Sequence, residues 1–399
     1  MVSYQETACI DRSCLQSVRR PHRVRPAQGK GRKTHGEEIL MKAAVCYGFK
    51  KPLTIETIDI DSPGQGEVKV RFAATAICHS DIHLLNGDFA QDLPIVAGHE
   101  SAGHVEAVGE GVTSVKPGDS VVVSTIVSCG KCRPCKMGLF HMCDLRNTSN
   151  SKGHLKNKQG QSINTMSMVG GFAEQSIVLE SQVNKVPSDF PLDRAALLAC
   201  GVITGFGAVV NRAKVQPLSS VVVIGTGGVG LNAIQGAVAS GARPIIAVDT
   251  LDNKLEAAKI FGATHTINVK KDDVIKAVKD LTDGWGANYV FTTVASDAAI
   301  RQSVAMLGKR GTAVIIGVPA SGATFHFSPF EFLDDEKTLT ACFMGSANMS
   351  LDIPRLVSLY KGGQLKLDEL ITGRYPLSQI NEAIAAFVSG NALRNVIVF

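Results

Sequence analysis

Four cysteines, Cys129, Cys132, Cys135 and Cys143, follow a C-x2-C-x2-C-x7-C pattern. Thiols this close can share one tetrahedral metal ion once the intervening chain folds back, which is the signature of a structural zinc site. Paired disulfides or reduced surface thiols are the competing reading. Tightly spaced disulfides belong mainly to small exported domains without a core, whereas this chain has 399 residues, 45% of them hydrophobic. Three more widely separated residues, Cys78, His99 and Cys200, could make a second and different metal site. A sealed zinc and an open zinc on one chain point to an enzyme.

The elements that must position these side chains differ along the sequence. From Met41 onward short strands alternate with Gly and Pro, at 42–46, 53–58, 67–76, 104–108 and 120–124. Pro117-Gly118-Asp119 is a turn into the apolar Val121-Val122-Val123. Such spacing predicts an antiparallel, barrel-like lobe without long helices. No internal repeat and no low-complexity tract interrupts it.

After Cys200 the texture changes. Val221-Val222-Val223-Ile224 runs straight into Gly225-Thr226-Gly227-Gly228-Val229-Gly230, and a helical stretch continues through Ala239. Strand, glycine turn and helix are what dinucleotide binding needs. Gly225 permits the tight turn, Gly227 lets the backbone approach a pyrophosphate, and Gly230 lets helix and strand pack closely. A second apolar run, Ile245-Ile246-Ala247-Val248, ends in Asp249, where a carboxylate can bind the adenosine ribose diol. Its charge would repel a 2'-phosphate, and Thr250 and Leu251 supply no cation, so NAD is expected rather than NADP. The bland role for Asp249 is to cap the helix starting near Asp252. Further alternation, with helical segments at 257–261 and 300–307 and strands at 289–292 and 313–318, predicts a doubly wound parallel α/β sheet.

Composition narrows the function classes. Only 19% of residues are charged and the mean hydropathy is +0.12, as in a compact soluble protein. The formal net charge of +5 is concentrated in residues 1–40, where eight Lys and Arg face four Asp and Glu. The rest of the chain is close to neutral, which argues against a nucleic-acid partner. Residues 1–40 lack helical or strand periodicity and are expected to be a disordered basic extension, with an organelle-targeting peptide or a misplaced start as alternatives. The first twenty residues lack the apolar run of a secretory signal, and no apolar stretch reaches the roughly 18–20 residues of a membrane span. A cytoplasmic location is expected, with a mitochondrial one as the alternative raised by the basic segment.

Together the two zinc patterns and the nucleotide fold mark a resemblance. From about Met41 to Phe399 the chain resembles the zinc-dependent medium-chain alcohol dehydrogenases, including the liver-type and glutathione-dependent formaldehyde dehydrogenase classes. It is carried by Cys78-His79-Ser80-Asp81, Gly98-His99-Glu100, the four-cysteine lobe, Cys200-Gly201, the glycine loop and Leu393-Arg394-Asn395. The resemblance implies a mainly β, GroES-like catalytic domain from 41–205 and 344–399, a Rossmann domain from 206–343, two Zn2+ per chain, and hydride transfer between an alcohol and NAD. Cys78, His99 and Cys200 would hold the catalytic zinc, with Glu100 beside it and Asp81 orienting His99. Ser80 would handle the substrate proton, passed through a nicotinamide ribose hydroxyl to His83 and then to solvent.

Other implied cofactor contacts are His79 and Arg394 at the pyrophosphate, Lys254 near the adenosine ribose, Gly228 in the loop, and Thr204, Val229, Ile316 and Val318 around the nicotinamide. A neutral His79 where relatives carry Arg implies looser NAD binding. Thr125 falls where liver-type enzymes carry a bulky aromatic, which implies room for larger primary alcohols, aromatic or medium-chain. Phe89 stands where the glutathione-dependent class has an acidic residue, which counts against that activity. A homodimer or homotetramer is implied, with Thr312 to Val318 as the edge strand available for pairing. Two rivals remain: an aldehyde reductase or glutathione-dependent formaldehyde dehydrogenase of the same family, and a non-catalytic NAD-binding protein. The latter should lack a metal ligand or Ser80, and all are present. Polyol dehydrogenases usually carry Glu where this chain has Cys200.

Overall fold

The strand-rich first half closes on itself. The computed structural model describes residues 40–89, 91–147, 153–319, 322–390 and 392–399, so the basic extension predicted at 1–40 lies outside the described residues apart from Leu40. Five strands form a closed barrel: β1 (Leu40–Cys46), β2 (Thr54–Ile60), β4 (Ile95–Val96), β7 (Leu155–Lys156) and β8 (Ser162–Thr165). Its interior is filled by Met41, Val45, Ile58, Ile95, Ile163 and Phe172, all almost fully buried. Each such side chain removed from water contributes about 1.5–3 kcal/mol.

Against the barrel stands a seven-stranded sheet. It contains β3 (Glu67–Ala76), β5 (Ser101–Val108), β6 (Ser120–Val123), β9 (Gln175–Leu179), β10 (Val183–Lys185), β17 (Ile371–Pro376) and β18 (Arg394–Val398). The last strand pairs with β3 through Val396↔Ala76, so the C-terminal segment returns beside the residues that precede Cys78.

The parallel sheet has the order β13-β12-β11-β14-β15-β16. Its strands are β11 (Val221–Ile224), β12 (Ile245–Asp249), β13 (His265–Asn268), β14 (Ala287–Thr292), β15 (Leu307–Ile315) and β16 (Thr338–Ala341). Val221 and Val223 belong to one core and Val222 and Ile224 to another, because helices cover both faces. That double burial is why β11 reads as an unbroken apolar run.

β15 is not an edge. It pairs with β14 on one side and β16 on the other, with Thr312↔Thr338 through Ile315↔Ala341 in register. Thr312 to Val318 therefore offers no free strand for subunit pairing. β16 escapes sequence reading because Thr-Leu-Thr-Ala is short and partly polar, with its ends exposed and its middle half-buried.

Among the functional elements, α1 (His79–Asn86) follows β3, α2 (Leu192–Ala213) crosses position 205, α3 (Gly228–Ala239) follows the glycine loop and α4 (Asp252–Ile260) follows β12. α2 contains two π-turns, Leu198–Val202 and Ala208–Ala213, and Cys200 lies in the first. Such turns frequently mark functional sites. By length and composition α2 could cross a membrane, but 78% of its most apolar window is buried inside the fold, as in a core helix.

Candidate active site

Cys78 is the N-cap of α1, and Asp81, three residues on, closes a capping box by accepting the Cys78 backbone N–H at 2.8 Å. The other Asp81 oxygen accepts from Gly98 N at 3.0 Å and meets His99 Nδ1 at 2.9 Å. One buried carboxylate thus ties α1 to the loop before β5 and leaves the second ring nitrogen of His99 free for a metal. α2 brings Cys200 to the same place. Ligand atoms of Cys78, His99, Glu100 and Cys200 all lie within 4.8 Å of one another, and all four residues are buried.

Each donor shifts the acidity of its neighbours. The hydrogen bond from Cys200 holds the Cys78 thiol well below its ordinary range, and the same bond together with burial holds Cys200 well above it. Burial works against a charged His99, but the Asp81 carboxylate outweighs it and lifts the ring well above the usual imidazole range. Burial pushes Glu100 up to about 7 against the pull of Arg394. Glu100 pairs through one oxygen with the buried Arg394 guanidinium, while its other oxygen is buried without a partner. Two thiols, an imidazole and an orphaned carboxylate oxygen form a donor set that fits Zn2+.

The four-cysteine lobe has a second such set. Ligand atoms of Cys129, Cys132, Cys135 and Cys143 also lie within 4.8 Å of one another. All four thiols are free, and the Cys129 N–H points at the Cys143 sulfur at 3.3 Å, as the Cys132 N–H does at the Cys129 sulfur. Backbone N–H groups of Lys131 and Cys132 lower Cys129 to about 6, while burial pushes Cys135 up to about 12.

The glycine loop ends next to this chemistry. A Cβ on Gly230 would lie 1.8 Å from the Gly225 carbonyl oxygen, so only glycine lets α3 approach β11. A Cβ on Gly227 would meet nothing within 4 Å, which leaves its backbone open to a ligand. Asp249 accepts from Thr226 N at 2.7 Å and Thr226 Oγ1 at 2.9 Å, and its other oxygen accepts from Thr250 N and Leu251 N. The N-cap of α4 is Leu251, so Asp249 is not the cap itself. Arg394 reaches the loop as well: a Cβ on Gly228 would come within 2.5 Å of its Cδ. It therefore spans from Glu100 to the expected pyrophosphate position.

The remaining expected residues fall around the cluster. Ser80 Oγ is 4.0 Å from Cys78 Sγ. His83, half-buried on α1, is held by Asp88 at 2.8 Å, and its ring centroid is 5.6 Å from that of Phe89. His79, at the start of α1, lies against the Phe387 ring with centroids 4.7 Å apart and the planes tilted by 57°. Desolvation of its ring, with Lys254 and Arg394 nearby, holds it below the usual imidazole range. Thr125, Val229 and Lys254 are half-buried, Thr204 and Ile316 are buried, and Val318 is exposed; the last two follow the C-terminal end of β15. Sequence reading missed Met344, whose sulfur lies 3.9 Å from Cys200 Sγ and 3.7 Å from Thr204 Oγ1.

Comparison with known proteins agrees with this geometry. The alcohol dehydrogenase GroES-like domain matches residues 64–188, and the zinc-binding dehydrogenase family matches residues 228–361. A Mycobacterium tuberculosis protein with the provisional name alcohol dehydrogenase D is 41% identical over 365 residues, covering 89% of this chain and 99% of its own. The NDMA-dependent alcohol dehydrogenase of Amycolatopsis methanolica is 40% identical over 365 residues, covering 90% of this chain and 98% of its own. The benzyl alcohol dehydrogenase of Acinetobacter calcoaceticus superposes with a TM-score of 0.86 at 34% identity, over 90% of this chain and 99% of that one. Fold, metal clusters and kinship together place this chain in the zinc-dependent medium-chain alcohol dehydrogenase family, as an oxidoreductase that uses zinc and a nicotinamide cofactor.

Proposed function

We propose that the protein is an NAD-dependent dehydrogenase of bulky primary alcohols, aromatic or medium-chain, with two zinc ions per chain. The observation that carries the reading is the buried Cys78–His99–Cys200 set next to a glycine loop whose acidic partner is Asp249. Cys78, His99 and Cys200 would hold the catalytic ion, and Cys129, Cys132, Cys135 and Cys143 the structural one. When bound, the zinc would supply the Lewis acidity that lets a substrate hydroxyl ionise near neutral pH, and a nicotinamide would supply the hydride acceptor.

The chain's own residues do the rest. Asp81 fixes the orientation of His99. Ser80, beside Cys78, would accept the proton of the substrate hydroxyl while giving up its own toward His83, which at the edge of the site would pass a proton to water. Arg394 keeps positive charge between Glu100 and the glycine loop. Asp249 places negative charge where a 2'-phosphate would come, which favours NAD. Thr125 in place of a bulky side chain leaves space for a larger alcohol, and the benzyl alcohol activity in one structural relative's name supports that class. On this proposal the enzyme is a cytoplasmic homodimer or homotetramer whose partners are small alcohols and aldehydes.

The test is oxidation of ethanol, hexanol, benzyl alcohol, cinnamyl alcohol, a polyol, and formaldehyde with glutathione, using NAD, NADP or NDMA in separate arms, with zinc measured in parallel. Turnover of benzyl and cinnamyl alcohols with NAD at about two zincs per chain is expected. A higher kcat/KM with NADP would sink the role given to Asp249. Activity only with glutathione would overturn the substrate class, and activity only with NDMA present would show that the cofactor is not exchanged freely.

A further inference from the structure

The four-cysteine lobe and the metal cluster around Cys200 meet at one turn. Beyond β16 the chain passes through Cys342 and Phe343 and reverses at Met344, Gly345 and Ser346, whose φ angles are 48°, 65° and 47°. Left-handed backbone at a side-chain-bearing residue brings Cβ against the following carbonyl and persists only where the surroundings over-determine it. Here they do. A Cβ on Gly345 would lie 2.0 Å from the Ile203 carbonyl oxygen, and the Gly345 carbonyl accepts from Asn211 Nδ2 at 3.2 Å. Arg212 donates to the Ala341 carbonyl at 2.9 Å and to the Thr340 hydroxyl. The outcome of this strained path is that Met344 lies against Cys200 and Thr204.

The other side of the turn is held from the lobe. The Arg146 guanidinium lies 5.0 Å from the centroid of the Phe343 ring and also contacts the His141 carbonyl at 3.4 Å and the Met142 sulfur at 2.9 Å. The His141 ring, buried and between Cys135 and Cys143 in sequence, lies against the backbone of Ala347, and its Nδ1 has no hydrogen-bond partner among the described residues. The lobe therefore touches the residue before the turn and the residue after it.

We propose that the four-cysteine lobe clamps this turn, with Arg146 and His141 as positioning residues that hold Met344 against Thr204 and thereby tune the grip on the nicotinamide end of the cofactor. The cofactor half of this inference rests on the placement of Thr204 at the nicotinamide under the proposed function. Aromatic–cation contacts at exposed sites are modest, so the effect should be graded rather than absolute.

The experiment compares full-length Arg146→Ala, Arg146→Lys and Phe343→Leu enzymes with the parent. It reads zinc content, thermal midpoint, amide hydrogen exchange across residues 343–347, Kd for NADH by fluorescence, and KM and kcat for benzyl alcohol and NAD. In Arg146→Ala and Phe343→Leu the turn should exchange faster and Kd and KM for the cofactor should rise about threefold to fivefold. The KM for alcohol, zinc content and kcat should hold, and Arg146→Lys should recover most of the loss. Unchanged exchange at 343–347 would overturn the clamp, as would a joint fall of kcat, midpoint and zinc content that Lys does not rescue. If the turn loosens while Kd for NADH stays the same, the clamp acts on the backbone only and the cofactor part of the inference is wrong. If the parent itself binds no NADH, the proposed function fails, and the exchange data alone decide the clamp.

Discussion

The two cysteine clusters offer their ligand atoms within the same 4.8 Å, yet they are built over very different ranges. The lobe draws all its donors from residues 129–143, and Cys129 and Cys132 keep partial exposure. The cluster at Cys78 draws from the start of α1, the loop before β5 and a π-turn of α2, buries every donor, and adds Arg394 from the last strand. In the lobe, backbone N–H groups of neighbouring residues lower the Cys129 thiol, while burial raises Cys135 and Cys143. In the buried cluster that work falls to remote side chains: Asp81 for His99, and Arg394 for Glu100. A site held by its own loop can be rigid without being reactive. A site held by the whole fold can have each donor adjusted separately.

The largest expected effect separates the two. If the proposed function holds, with a zinc at each cluster, Cys200→Ser should lose the buried zinc and lower kcat/KM more than about a thousandfold, because removing a Lewis acid forfeits several kcal/mol of transition-state stabilisation. Cys135→Ser should lose the other zinc and lower Tm by about 4 °C or more while the folded fraction keeps most of its specific activity. Zinc analysis with thermal melts and steady-state rates checks both, and equal loss of activity in the two variants would erase the distinction. Next is Asp81→Asn, which keeps the shape but removes the charge facing His99; a tenfold to hundredfold loss of activity or metal affinity is expected, read by competition with a chromogenic chelator. An Asp81→Asn enzyme with parent-like zinc affinity and rate would show that the remote side chain tunes nothing.

The smallest effect concerns how the buried cluster exchanges protons with water. His83→Gln should lower kcat by about tenfold below neutral pH, where proton release is hardest, and flatten the pH-rate profile. An unchanged kcat and profile would remove His83, and with it the Asp88 pairing, from the mechanism.

Legibility in the sequence follows the same division of range. The glycine loop, β11 and the start of α3 were readable because a parallel strand buried on both faces is a continuous apolar run and the turn that follows demands glycine locally. α2 was not, because Gly201, Gly205 and Gly207 read as helix breakers. In the fold a Cβ on Gly205 would meet the Val229 carbonyl oxygen at 2.1 Å, so that glycine serves helix contact instead. β16 and the Met344 turn escaped for a related reason. A four-residue strand of mixed polarity and an isolated Met carry no periodic signal, and their positions are set by β15 and α2, distant in sequence.

The amino-acid sequence by itself determined the chemical inventory of this protein: a four-thiol loop, a glycine turn with its acidic partner, and the residue types of an open zinc site. The first two signals survive in one dimension because a ligand imposes their spacing within one loop or one strand–turn–helix unit, whereas the separated residues of the open site were legible only through the motifs that carry the family resemblance. Only the tertiary structure decided that β15 lies inside the sheet, that Arg394 joins Glu100 to the glycine loop, and that the lobe leans on the Met344 turn. Such contacts join residues tens to hundreds of positions apart, and their energies depend on burial and on partners that exist only once the core has closed.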